Sequence, residues 1–301
     1  MIPRERGPWR AGLYSAWIMA HLDDHRLAHQ LATDAGSMLV ELRAKLASEG
    51  APPSVLKAQG DRAAHVLLVR ALAEARPDDA VLSEEGRDHL GRLSADRVWI
   101  VDPLDGTREF SQVPRSDWAV HVALVEDGEP TAGAVALPAL GVTYSTAEPP
   151  VILDAPNAPP RLAVSRSRPL LEAMALAEAL DAELVPMGSA GAKAMAVATA
   201  LVDCYPHAGG QYEWDSCAPV AVARAAGLWC SRLNGSPLRY NRPDPWLPDI
   251  LICHPGVHER VAISRRYRQH HELLAAPAEQ QVRRPDLPAH DRHEFAQRVL
   301  A

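Results

Sequence analysis

The stretch VWIVDPLDGTREF, residues 98–110, decides how this chain is read. Val98, Trp99, Ile100 and Val101 form an apolar run of strand character, and it ends on two carboxylates, Asp102 and Asp105. Pro103 stops ladder pairing and turns the chain, which brings Asp105 back toward Asp102. Carboxylates that close repel and raise each other's pKa, a penalty that a divalent cation removes. A hard cation such as Mg²⁺ takes oxygen ligands in near-octahedral geometry, and the Leu104 carbonyl lies in the same turn.

Two further segments supply acids at the ends of elements. In LSEEG, Glu84 and Glu85 close a neighbouring apolar run, and in EWDS, Asp215 stands at a helix start. Five acids from three segments are then available to two or three metal ions between two lobes. Gly106 and Thr107 add an anion site, because a turn or helix opening there leaves backbone N–H groups free and Gly106 admits a phosphate closely. Thr107 caps that turn or orients a metal-bound water. Carboxylates for metal beside amides for phosphate point to a phosphoester hydrolase in which metal activates water and stabilises the leaving oxygen. The competing reading makes Asp-Pro-Leu-Asp-Gly a plain surface turn. It leaves the acids at the other element ends without a reason.

The 301 residues suffice for a sizeable core in one large domain or two lobes, and two lobes are expected. A formal net charge of −7 gives no basic excess, which argues against nucleic acid polymers and anionic membranes as partners. No segment approaches the ~20 apolar residues of a membrane span. Arg4, Arg6 and Arg10 ahead of AGLYSAWIMAHL superficially resemble a secretion signal, but the apolar stretch is short, lacks an A-x-A site and runs into HLDDHR. The expectation is a soluble, cytoplasmic protein. Cys204, Cys217, Cys230 and Cys253 include no C-x-x-C pair and read as buried free thiols.

Along the chain, an extension at 1–23 precedes an α+β lobe at 24–147. Leu27, Leu31, Met38, Leu42 and Leu46 give a helix over 24–47, with Asp23 or Asp24 as N-cap, and a second helix is read over 61–75 with Val66, Val69 and Leu72 inward. Residues 117–146 alternate strands with turns at Asp127-Gly128 and 138–141, an antiparallel meander. A proline-rich linker at 148–160 leads to an α/β lobe at 161–255. Its strands alternate with helices over 169–180, 189–200 and 215–226, which suggests a largely parallel sheet covered on both faces. A helix and tail follow over 256–301.

These motifs carry a resemblance. VWIVDPLDGTREF and EWDSCAP, with LSEEG, AVSRSRP, MGSAGAK and LNGSPLRYN, resemble the inositol monophosphatase superfamily over about residues 24–255. GSAGAKAMA and HAGGQYEWDS are most similar to its CysQ-type 3′(2′),5′-bisphosphate nucleotidases. The resemblance implies an α/β fold of layered αβαβα architecture, and a Mg²⁺-dependent, lithium-sensitive removal of the 3′-phosphate from 3′-phosphoadenosine 5′-phosphate. Inositol 1-phosphate and fructose 1,6-bisphosphate are the alternative substrates, and a binding protein that has lost catalysis is the alternative class. It further implies that Glu84, Asp102 and the Leu104 carbonyl hold a first metal, that Asp102, Asp105 and Asp215 hold a second, and that Glu84 shares a weaker third. Thr107 matches the threonine that holds the attacking water, Asp61 the aspartate paired with it, and the Gly106 and Thr107 amides the phosphate cradle. A homodimer is implied by the resemblance alone.

Lesser candidates for substrate contact are Ser189 and Lys193 at a helix start, Glu213 two residues before Asp215, and Arg239 in SPLRYN. Ser165 and Arg166 follow a strand and have weaker claims, and the His207 loop reads as pocket wall. Trp99 and Trp214 read as packing residues. The histidines other than His207 show no paired ligand spacing and are assigned no site.

Overall fold

A computed structural model describes residues 22–152, 156, 158–167 and 171–263. The chain opens with two long helices, α1 (Leu22–Ser48) and α2 (Pro53–Ala75). It then forms β1 (Ala80–Ser83), β2 (Arg97–Asp105), the single-turn α3 (Thr107–Phe110), β3 (Ala119–Glu126), β4 (Glu129–Leu137) and β5 (Val142–Ser145). These strands make one sheet in sequence order, with β1 parallel to β2 and the rest antiparallel. The meander and both of its turns lie where the alternation put them.

The second half contributes β6 (Arg161–Ser165), α4 (Leu171–Leu180), β7 (Glu183–Met187), α5 (Ala190–Ala198), β8 (Cys204–His207) and the short β9 (Gln211–Tyr212). It continues with α6 (Glu213–Ala225), β10 (Trp229–Ser231), β11 (Trp246–Leu247), β12 (Ile250–Cys253) and α7 (Pro255–Ile263). The second sheet has the order β10-β12-β8-β6-β7. It is mixed rather than largely parallel, since β6 runs parallel to β7 and β8 whereas β12 is antiparallel to β8 and β10. The reason lies in β12, which follows β10 with no helix between them and inserts antiparallel between β10 and β8. β8 and β10, joined through α6, run parallel as a helical crossover requires, and β12 alone stands outside that rule.

Period-two alternation distributes the core between layers. Along β2, Trp99 and Val101 face α1 and α2, whereas Val98 and Ile100 face α5 and α6. Along β3, Val120, Val122 and Leu124 face the outer helices, and Ala119, Ala123 and Val125 face the middle layer. On the far side, α4 and α7 cover the second sheet through Leu176, Leu180, Val257 and Val261. The result is helices, sheet, helices, sheet, helices, the layered α/β architecture that the resemblance implies.

Three local expectations need correction. α2 starts at Pro53 rather than Asp61, because Pro52-Pro53 supplies the fixed φ of a first helical turn. Its inward residues are Leu56, Gly60, Ala64, Leu68 and Leu72, while Val66 is exposed. Asp23 and Asp24 lie within the first turn of α1 rather than capping it, and Asp24 pairs with Arg76 at 2.7 Å and Arg97 at 3.1 Å. The helix expected at the start of the final segment is α7, and the expected tail lies outside the described residues from 264 onward.

Candidate active site

β2 shifts register between Asp102, opposite His121, and Asp105, opposite Ala119, so both carboxylates stand at a bulge at the end of one strand. Both are buried. The Leu104 N–H donates to Asp102 Oδ1 at 3.0 Å and fixes that side chain within the turn. Asp215 lies in the first turn of α6, where its Oδ2 accepts from the Tyr212 N–H at 2.7 Å. One carboxylate oxygen from each of Asp102, Asp105 and Asp215 lies within 4.8 Å of the others. Asp102 and Glu84 share a hydrogen bond, which brings the end of β1 to the same place.

Asp105 is held by three hydrogen bonds and one ionic contact. Ala190 N donates to Oδ1 at 3.1 Å; Ser189 Oγ at 2.5 Å and Gly191 N at 2.6 Å donate to Oδ2, and His121 Nε2 stands 3.2 Å from the same oxygen. The carboxylate therefore occupies the N-terminus of α5, where unpaired N–H groups favour negative charge. Ser189 holds φ at +46, unusual for a residue with a side chain, while its Oγ both donates to Asp105 and accepts from Ala192 N at 2.9 Å. His121 Nδ1 meets the Trp214 carbonyl at 3.0 Å, so one buried ring ties Asp105 to the residue before Asp215. A Cβ at Gly191 would run into His121 Nε2.

The electrostatics divide the acids. Burial pushes Asp102 well above the carboxylate range, with Glu84 and Asp105 adding repulsion. Burial, opposed in part by its hydrogen bond to Asp102, takes Glu84 to about 7, and burial with the Asp105 charge takes Asp215 to about 6. Burial would raise Asp105 too, but the hydrogen bond and charge of His121, with Lys193 and Ser189, hold it below the usual range. Acids assembled at such an electrostatic cost, with every donor an oxygen, fit a hard divalent cation.

Beside them, Gly106 adopts φ +82, and a Cβ there would lie 3.1 Å from Ser189 Cβ and 3.3 Å from the Asp117 carbonyl. This opens α3, whose first-turn N–H groups have no carbonyl of their own helix to bond. The Thr107 hydroxyl lies 3.2 Å from the Leu104 carbonyl and 3.4 Å from Asp61 Oδ1, so Asp61 and Thr107 meet as the resemblance implied. Burial, then the Glu85 charge, raises Asp61 to about 6. A hydroxyl that donates to Asp61 keeps its lone pairs for a water.

The substrate-contact candidates are placed differently. Lys193 is buried, its Nζ donating to the Gly188 and Ser189 carbonyls at 3.2 and 2.5 Å, and Ser189 serves Asp105, so both act inside the wall of the site. Glu213 is buried, with its oxygens accepting from Asn241 N at 2.7 Å and Arg242 N at 3.0 Å, which leaves it holding a loop rather than a sugar hydroxyl. Arg239 pairs with Glu129 at the β3–β4 turn, the opposite end of the sheet from Asp105. His207 bonds the Gly210 carbonyl at 3.1 Å. His121 is the residue that spacing arguments passed over.

With this geometry in place, comparison with known proteins is informative. The inositol monophosphatase family profile matches residues 24–283. The chain belongs to the inositol monophosphatase family. Within the family, it is 51% identical over 232 residues to the 3′-phosphoadenosine 5′-phosphate phosphatase of Mycobacterium tuberculosis, covering 74% of this chain and 86% of that protein. The 3′(2′),5′-bisphosphate nucleotidase CysQ of Escherichia coli K12 is 32% identical, covering 72% and 94%. Among solved structures, CysQ from Bacteroides thetaiotaomicron superposes with a TM-score of 0.65 at 27% identity, covering 78% of this chain and 98% of that one. Inositol monophosphatase II of Staphylococcus aureus gives 0.72 at 23% identity over 85% and 100%, a likeness of fold.

Proposed function

We propose that this inositol monophosphatase family member is a Mg²⁺-dependent phosphomonoesterase that hydrolyses 3′-phosphoadenosine 5′-phosphate to AMP and phosphate. One juxtaposition carries the reading. The Asp102, Asp105 and Asp215 oxygens gathered within 4.8 Å lie at the same strand end as the Thr107–Asp61 pair. The names of the mycobacterial and CysQ relatives support the choice of substrate.

Glu84, Asp102 and the Leu104 carbonyl would hold one cation, and Asp102, Asp105 and Asp215 another, with Glu84 as ligand to a weaker third. A bound divalent cation supplies Lewis acidity toward the ester and lowers the pKa of water. The chain's residues do the rest. The amides at Gly106 and Thr107 receive the phosphate oxygens, Thr107 Oγ1 positions the attacking water, and Asp61, ionised above about 6, draws the threonine proton toward itself and leaves the oxygen to accept from that water. The three hydrogen bonds on Asp105, with the nearby His121 ring, keep its carboxylate from moving as charge redistributes. The reading carries a cytoplasmic location, supported by four thiols that are free among the described residues. No helix among those residues is long and apolar enough to cross a membrane.

Phosphate release from 3′-phosphoadenosine 5′-phosphate, inositol 1-phosphate and fructose 1,6-bisphosphate tests this. The nucleotide should give the highest kcat/KM, with loss of turnover on chelation and inhibition by millimolar Li⁺. No release from the nucleotide with Mg²⁺ present would overturn the assignment.

A further inference from the structure

The acids and amides account for the reacting phosphate, but not for three arginines beside it. Arg108 follows Thr107 on α3, is exposed, and has no acid partner among the described residues. Arg115 comes from the loop after α3, and its Nη2 bonds Asp117 Oδ2. Arg166 extends from the end of β6, with its Nη2 2.8 Å from Glu109 Oε1 and 3.3 Å from Gln112 Oε1. The side chains of Arg115 and Arg166 are 31% and 34% exposed, so both are open to solvent and to a ligand.

Two of them, Arg115 and Arg166, converge through their acids on one backbone segment. Gly188 N donates to Asp117 Oδ2 at 2.6 Å, and a Cβ at Gly188 would run into the Glu109 side chain. Gly188 precedes Ser189, which touches Gly106 at the phosphate cradle. Asp117 and Glu109 thus anchor two guanidiniums on either side of Gly188, one residue from the wall of the reacting-phosphate site. Each anchored guanidinium uses Nη2 toward its acid and retains Nη1 for an oxyanion, while the Nε of Arg115 is buried without a partner. Three cations against two carboxylates leave this rim positive, opposite in sign to the metal-holding acids. A second phosphate is the ligand that such a rim selects.

The geometry points to a subsite in which Arg108, Arg115 and Arg166 bind the non-reacting phosphate of a bisphosphorylated substrate. The inference rests on the phosphatase reading above and adds to it the residues that separate bisphosphates from monophosphates. Charge-assisted hydrogen bonds to phosphate are the stronger class, and a binding change of 1.4 kcal/mol is tenfold.

The test is the ratio of kcat/KM for adenosine 3′,5′-bisphosphate to kcat/KM for adenosine 3′-monophosphate, with Mg²⁺. Arg115→Ala and Arg166→Ala should each lower the ratio about tenfold through KM, and Arg166→Lys should recover part of it. Arg239→Ala, at the opposite end of the sheet, should keep the wild-type ratio. Turnover of the monophosphate by each variant reports that it is folded. A ratio unchanged in all arginine variants, or a wild-type protein with no preference for the bisphosphate, would overturn the subsite. Should the protein hydrolyse neither nucleotide, the substrate assignment fails separately, and fructose 1,6-bisphosphate against fructose 1-phosphate reads the same ratio.

Discussion

Ser189 Oγ donates to Asp105 Oδ2 at 2.5 Å across 84 residues of sequence, joining the end of β2 to the start of α5. The same oxygen caps α5 by accepting from Ala192 N. One hydroxyl therefore serves both a carboxylate of the acid cluster and the helix that stabilises it.

Ser189→Ala removes a donor from a buried carboxylate and a cap from α5, and the two losses together should lower stability by about 1–3 kcal/mol. Divalent cation affinity should fall as well. Thermal unfolding with and without Mg²⁺ checks both, and a variant with unchanged melting and unchanged Mg²⁺ stabilisation would contradict the role given to Ser189.

His121→Ala removes the ring that links Asp105 to the Trp214 carbonyl. Groups that orient a metal ligand typically change affinity or activity 10–100-fold when replaced, and this variant should bind Mn²⁺ more weakly by about that factor. Equilibrium titration measures it. Affinity equal to wild type would show that α5 alone suffices to hold Asp105.

How far the sequence disclosed this site depends on which link is considered. Asp102, Asp105, Gly106 and Thr107 were legible because Pro103 and Gly106 have few structural uses and sit between acids at the end of an apolar run. Asp215 was legible as an acid at a helix start, and Asp61 through resemblance alone, since nothing in its own spacing joins it to β2. His121 was hidden because one polar residue within AVHVALV disturbs strand alternation little, and only the packing of α5 and α6 on the sheet shows what it faces. Lys193, Glu213 and Arg239 were put forward because a charged side chain near a motif reads as a substrate contact. Burial turns the first two inward onto backbone groups, and topology carries the third to the far end of β3 and β4. The mixed second sheet was missed because alternating strands and helices imply crossovers, whereas β12 follows β10 with no helix between them.

The raised acids give the cation-free protein a pH dependence of stability. Glu84 at about 7, Asp215 at about 6 and Asp61 at about 6 hold protons that the unfolded chain has released from the ordinary values of 4.5 and 3.8. Stability therefore falls as pH rises through the interval between the unfolded and folded values. His121, raised because its bond to Asp105 outweighs burial, changes stability in the same direction. Asp105, lowered, acts oppositely, but its contribution is lost only as pH falls below the ordinary carboxylate value. Melting in chelator should drop between about pH 5 and pH 8, and added Mg²⁺ should raise it more at the higher pH. A melting temperature in chelator that climbs over that range would contradict the electrostatics described.

Thr107→Val keeps the shape of the side chain and removes its hydroxyl. Loss of the group that positions water and meets Asp61 should reduce kcat by about 10²–10⁴ while Mn²⁺ affinity stays near wild type. Phosphate release paired with Mn²⁺ titration separates the two effects, and full activity would exclude Thr107 from the reaction.

Diffraction from crystals grown with Mn²⁺, read at the manganese absorption edge, addresses the acid cluster itself. The arrangement described here predicts at least two anomalous peaks, one shared by Asp102, Asp105 and Asp215 and another beside Glu84 and the Leu104 carbonyl. Saturating Mn²⁺ with no peak among these carboxylates would contradict it.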